Sequence, residues 1–359
     1  VRMLVEEVEK RSLVRLTPVH EWPGSSVAVI AVGTVSRPPD LGGPETIPNR
    51  GLDELAEEGY LLETGKEGRS AATARVMGRD PRGLLFGIGR LLREMRLERH
   101  RILIPDGLEI RTSPAYALRG HELGYRPKTN SYDGFTVAMW EQYIRDLAVF
   151  GTNAVQLIPP RSDDAPHSPH FSLPQMEMMV EVSRILDEYG FDVWIWYPAL
   201  DEDYTDPKTV EFALREWGEV FRRLPRIDAL YVPGGDPGHT PPRVLMDLLE
   251  KQTANLKRHH PDAQMWVAPE GFTVDRMNVF YEIMDERPPF LSGLVFGPWV
   301  RVPLATLRER IPPEYPIRRY PDITHSLSCQ YPVPDWDQAY ALTEAREGIN
   351  PRPTDCLLY

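Results

Sequence analysis

From residue 116 onward one pattern repeats, and it leaves the chain few folds to adopt. A short apolar run stops at a proline or glycine turn, and a stretch with helical spacing follows. The runs include Ala154-Val155-Gln156-Leu157-Ile158, Val193-Trp194-Ile195-Trp196 and Ala229-Leu230-Tyr231-Val232. Met265-Trp266-Val267-Ala268 and Leu294-Val295-Phe296 continue the series. Between them lie apolar stripes such as Trp140, Tyr143, Ile144 and Leu147, or Val244, Leu245, Leu248, Leu249 and Leu256. Met176, Met179, Val180 and Leu186 mark a further helix, and Pro207 to Arg223 another. Strand-sized runs alternating with helices predict a parallel sheet, and at this length a TIM-type (β/α)8 barrel. Tyr116 to Glu122 reads as the first strand and Ile317 to Asp322 as the seventh. An eighth is not evident, so the barrel is expected to be incomplete at its C-terminal end. The rival is an open doubly wound sheet. It wants a Gly-rich phosphate turn after an early strand, and none stands there.

Residues 1–113 follow another grammar. Ser26 to Val32, Glu58 to Thr64 and Ala72 to Met77 read as strands. Asp80-Pro81-Arg82-Gly83 opens a helix, with Asp80 as N-cap and Pro81 at the first helical position. Leu84, Leu85, Ile88, Leu91 and Leu92 form its apolar stripe, and Gly87 and Gly89 invite a close neighbour. Ile102 to Pro105 is a last short strand. Strands with one helix against them predict a small α+β domain over 1–113, followed by the barrel over 114–359.

Composition excludes several classes. A net charge of −12 argues against nucleic acid, whose phosphates demand a basic surface. No run of eighteen apolar residues exists, so a membrane span is not expected. The first ten residues carry three acids and no long apolar core, which is not a signal peptide. The expectation is a cytoplasmic protein as the sequence stands, or a secreted one if a leader precedes it. Cys329 and Cys356 make no disulfide framework and suit a reducing compartment. No cofactor is expected. His167 and His170 lack an obvious third ligand in their loop, so no metal is expected either.

A barrel carries its working groups at the C-terminal ends of its strands. Those positions supply Arg119, His121 and Glu122 after the first strand, Asp236 and His239 after the fourth and Glu270 after the fifth. Trp299 follows the sixth and Asp322 the seventh. Asp201, Glu202 and Asp203 follow the third and read as a solvated helix entry. Carboxylates from several strands, interleaved with aromatic rings, are the equipment of glycoside hydrolysis. One acid protonates the leaving oxygen, and a second carboxylate attacks the anomeric carbon or activates water. Asp236 and Glu270 are the expected catalytic pair. Arg119, Glu122, His239, Trp299 and Asp322 are expected to hold the substrate. The plainer reading pairs Glu122 with Arg119 or Arg126.

Several stretches also resemble known families. Glu58-Gly59-Tyr60, Gly78-Arg79-Asp80-Pro81-Arg82-Gly83-Leu84-Leu85-Phe86-Gly87 and Arg90-Leu91-Leu92-Arg93 are similar to the small domain ahead of the barrel in glycoside hydrolases of family 20 (β-hexosaminidases) and family 67 (α-glucuronidases). Gly234-Gly235-Asp236 resembles the start of the Gly-Gly-Asp-Glu motif of family 20, with Pro237 where that family keeps its acid. Phe296 to Trp299 and Tyr320 to Thr324 resemble strand ends of family 67. The resemblance implies hydrolysis of O-glycosidic bonds in a hexosamine- or uronic-acid-containing glycan. The alternative is a carbohydrate-binding protein on a degenerate or truncated hydrolase barrel.

Overall fold

The computed structural model describes residues 1–23, 27–38, 54–65, 73–123, 130–162, 166–235, 239–297 and 299–319. The chain forms two compact units. One is Val1–Arg119 with Glu141–Asn153, the other Gly120–Trp140 with Ala154–Tyr359.

The first unit opens with α1 (Arg2–Ser12), which the sequence reading did not anticipate. Strands β1 (Val29–Thr34), β2 (Tyr60–Gly65) and β3 (Thr73–Gly78) follow, then α2 (Pro81–Glu94). Next come β4 (Arg96–Glu98), β5 (Arg101–Leu103) and β6 (Glu109–Thr112). The sheet order is β1-β3-β2-β6, while β4 and β5 form a separate ribbon. Helix α2 starts as expected: the Asp80 carboxylate accepts from Gly83 N at 2.8 Å. Its other oxygen accepts from Glu58 N at 2.7 Å, so the cap also ties the helix to the turn before β2. Gly89 lies so near the Val149 backbone that a Cβ would come within 2.7 Å of Val149 Cα.

The second unit holds β7 (Gly120–Glu122) and the start of α3 (Val137–Val149), then β8 (Ala154–Leu157), α4 (Gln175–Glu188), β9 (Asp192–Trp196) and α5 (Pro207–Arg223). It continues with β10 (Ala229–Val232), α6 (Pro242–Lys257), β11 (Gln264–Val267), α7 (Val274–Asp285), β12 (Gly293–Phe296), α8 (Leu304–Arg310) and β13 (Ile317–Arg319). Seven strands stand in the order β13-β12-β11-β10-β9-β8-β7, and every pair is parallel. This is an α/β fold with a half-barrel, an incomplete TIM barrel among the described residues. Residues 320–359, where an eighth strand was sought, lie outside them.

Register divides each strand into two faces, because neighbours in register point to the same side. Val155, Leu157, Val193, Ile195, Leu230, Val232, Met265, Val267 and Leu294 share one face. All are fully buried, as a face covered by helices requires. The opposite face carries Glu122, Gln156, Trp194, Trp196, Tyr231, Trp266 and Arg318. The sheet curls toward this second face. β13 stands four places from β9, about 19 Å away if the sheet were flat, farther than two side chains can span. Yet the Arg318 guanidinium carbon lies 4.4 Å from the centre of the Trp194 ring and 4.1 Å from that of Trp266. The aliphatic side is therefore the outer wall, and the polar and aromatic side is the inner one.

Candidate active site

The inner wall ends at the loops after β10, β11 and β12. Beyond Val232 the chain passes Pro233 and turns at Gly234, whose φ of 59° is left-handed. Gly235 N donates to Glu270 O at 2.9 Å, and Gly235 O accepts from His239 N at 2.7 Å. His239 is itself left-handed (φ 56°) and solvent-exposed. Asp236, between them, lies outside the described residues, as do Pro237 and Gly238. After β11, Glu270 makes an antiparallel bridge with Val300, and Gly271 N donates to Trp299 O at 3.1 Å. Glu270 is thus where the loops of three successive strands are pinned together. His239 and Trp299 belong to the two loops it holds, and Trp299 remains 39% exposed.

The Glu270 residue is 3% exposed. Its Oε1 accepts from the hydroxyl of Tyr231, itself 1% exposed. Gly297 makes this possible: a Cβ at that position would land on Glu270 Oε1 and come within 2.9 Å of the Tyr231 hydroxyl. A buried carboxyl needs such a donor, because burial without a hydrogen bond is costly.

The remaining expected residues lie elsewhere. Glu122 ends β7 on the inner wall and accepts from Gln156 Nε2 at 3.2 Å. Arg126 lies outside the described residues. In sheet order β8 and β9 separate Glu122 from the strand that carries Tyr231. Arg119 is a correction. It precedes β7 and so stands at the N-terminal end of the strand, away from the working end. Its guanidinium donates to Glu58 at 2.5 Å, Gly151 O at 2.7 Å and Tyr116 O at 2.8 Å and lies over the Phe86 ring. These contacts belong to the first unit and are structural. Asp322 is outside the described residues, so it receives no position.

Asp201 is not simply solvated. It pairs with Arg161 at 2.5 Å, and Arg161 also donates to Glu216 at 3.0 Å. Hydrogen bonding to Asp201 raises the Arg161 pKa further above its already high value. Burial raises that of Glu216 despite the opposing pull of Arg161. Tyr204 donates to Asp201 at 3.2 Å, and burial raises its pKa. His121 is on the outer face, where burial lowers its pKa and keeps the ring neutral. His167 and His170 are exposed. Among the described residues no group of three or more His, Cys, Asp or Glu could hold a metal, and no helix is long and apolar enough to cross a membrane.

Sequence reasoning missed Tyr231, Gln156, Trp194, Trp266, Arg318 and Gly297. Strand parity would have found most of them, since inner-wall positions alternate with the aliphatic ones. Gly297 carries no such signal.

Solved structures of several glycoside hydrolases are similar to this architecture. A glycoside hydrolase family 20 β-N-acetylglucosaminidase superposes with a TM-score of 0.53 at 15% identity, over 90% of this chain and 79% of that one. A chitobiase from Flavobacterium johnsoniae gives 0.56 at 14% identity, over 92% of this chain and 56% of its own. CpGH84B gives 0.51 at 11% identity over 75% of this chain, which spans about half (49%) of that protein's length. At such identities the likeness is one of fold. No protein-family model and no curated protein matches the sequence.

Proposed function

We propose that the protein hydrolyses O-glycosidic bonds in a hexosamine- or uronic-acid-containing glycan, with Asp236 and Glu270 as the acid/base pair. The observation that carries this reading is Glu270. It is a carboxylate at the C-terminal end of a barrel strand, hydrogen-bonded by Tyr231, with its backbone fastening the loops that carry Asp236 with His239, and Trp299. The C-terminal ends of the strands are where enzymes on this fold carry their working groups. The fold it shares with a β-N-acetylglucosaminidase and a chitobiase supports the substrate class. His239, Trp299, Glu122 and Asp322 would line the sugar's path, with Trp299 offering an exposed ring for stacking.

The test is a panel of aryl glycosides, including hexosaminides and glucuronides, assayed with the wild-type chain and with Asp236→Asn and Glu270→Gln. On any substrate that turns over, each variant should lose about 10²–10⁴-fold in rate, the usual worth of a positioned acid or base. Unchanged turnover in either variant refutes the assignment of that residue.

A second reading has one observation in its favour. Pro237 stands where the family 20 motif keeps its acid, which suits a barrel that binds a glycan without cleaving it. Calorimetric binding of an oligosaccharide with no turnover across the panel would select it.

A further inference from the structure

We propose that Glu216 is the pH-sensitive arm of a latch: ionised, it holds Arg161, and with it the loops after β8 and β9, to α5; protonated, it releases Arg161 and bonds instead to the hydroxyl of Tyr197. None of these residues belongs to the pair assigned above, so the latch is independent of whether the barrel cleaves a glycan.

The cluster lies at the C-terminal ends of two neighbouring strands. Arg161 follows β8, Tyr197 and Asp201 follow β9, and Glu216 stands on α5. One guanidinium serves two carboxylates, and it serves them unequally. Asp201 accepts from both terminal nitrogens of Arg161, at 2.5 and 3.3 Å, and from the Tyr204 hydroxyl at 3.2 Å. Among the described residues Glu216 accepts from Arg161 Nη1 alone, at 3.0 Å. Each acid keeps only 20% of its side chain exposed. Two negative charges against one positive leave a surplus, and Glu216 is the acid less well served.

The second observation is a hydroxyl. Tyr197 is 1% exposed, and its O–H has no partner among the described residues, a costly state for a buried polar group. Its ring stacks on Trp217 with centroids 3.9 Å apart, and Trp217 is the next residue to Glu216 on α5. The two groups feel each other: burial first, and then the charge of Glu216, push the phenol well above its ordinary 10.0. Held by Arg161, the carboxylate leaves this hydroxyl unmet. A neutral carboxyl has no charge for Arg161 to hold, and it can both donate to a hydroxyl and accept from one.

The charged and titratable groups facing Glu216 are Arg161 from the loop after β8, Tyr197 at the end of β9 and Asp201 in the loop beyond it, with Tyr204 behind Asp201. From α5 come only the uncharged rings of Phe212, under Arg161, and Trp217. Burial raises the pKa of Glu216 above the usual 4.5, Arg161 opposes this and Asp201 adds to it. A carboxyl raised in the folded state takes its proton more readily there than in the unfolded chain, so its contribution to stability grows as pH falls. Proton uptake at Glu216 therefore favours the folded chain.

The experiment follows hydrogen exchange by mass spectrometry, as protection factors, in peptides covering Arg161 and residues 199–206 between pH 8 and pH 4. In wild type both should lose protection about tenfold, the low end for a bond to a charged group because Arg161 is 40% exposed. The midpoint should lie above 4.5. Glu216→Gln, neutral at every pH, should show the low protection throughout. Tyr197→Phe should fold with undiminished stability at neutral pH, where the hydroxyl is unmet. Its midpoint should fall by about 0.5–1 pH unit, the net worth of one hydrogen bond. Protection independent of pH in wild type overturns the proposal, and so does a pH response that survives in Glu216→Gln but is lost in Asp201→Asn. An unchanged midpoint in folded Tyr197→Phe overturns the transfer to Tyr197.

Discussion

The side chain of Glu7 shows how one residue can hold a unit together and expose it to acid. It is 2% exposed, yet it is charged. Its carboxylate pairs with Arg11 one turn ahead on α1 and accepts from Arg145 at 3.3 Å. Burial alone would raise its pKa. Bonds from Arg11, Arg145 and Gln142 outweigh that and hold it below the usual 4.5. A carboxyl depressed in the folded state stabilises fully above its unfolded value and loses that contribution as pH falls through the folded one. Glu7→Gln should therefore cost about 3 kcal/mol near neutrality, at the low end for breaking a buried pair because Arg11 is half exposed. In urea titrations the gap between mutant and wild type should narrow as pH drops below 4.5. A gap that stays constant across that range would show that packing alone is at stake.

At the scale of elements, caps and close approaches decide where helices begin. Asp80 closes α2 and reaches the Glu58 amide as well. Asp80→Ala should cost about 1–2 kcal/mol, read as a lower urea midpoint, and Asp80→Ser should recover part of it. This cap was legible in the sequence because Asp-Pro ahead of an apolar stripe is a strong local signal. So were α5 and the strands β8 to β12, whose apolar runs end at proline or glycine. Helix α7 was not anticipated, although Thr273 caps it and Met277, Phe280, Tyr281 and Met284 form its buried face. Only six residues, Ala268 to Thr273, separate it from β11, so the chemistry of that loop obscures the helix in the sequence. Arg119 failed for a different reason. Whether a residue beside a strand faces the working end depends on where the strand begins, and β7 begins after it.

For the whole molecule, curvature is what brings distant strands into one wall. Arg318, over the neighbouring indoles of Trp194 and Trp266, joins β13 to β9 and β11 across the inside of the sheet. Arg318→Met should lower stability by about 1–2 kcal/mol, the range of desolvated cation–π contacts. It should also change the near-ultraviolet dichroism of the tryptophans while leaving the helical signal intact. An unaltered tryptophan spectrum would mean the cation does not shape that wall. Parallel strands and a barrel-like fold could be inferred from sequence, because local patterns repeat. The tie at Glu270 could not, since it depends on a hydroxyl, a carboxyl and a missing Cβ drawn from three separate strands.

The two faces of each strand answer to different demands. On the outer face, nine aliphatic side chains lie fully buried under helices, so a change of one methylene there is felt by the core. On the inner face Tyr231, Trp194 and Trp266 are buried as well, but by polar and aromatic contacts within the curve. Alternate residues of one strand therefore pack against two different partners, the helices on one side and the strands across the curve on the other. A substitution in register with Leu230 and Met265 is thus felt by the helices, and one in register with Tyr231 and Trp266 by strands several places away.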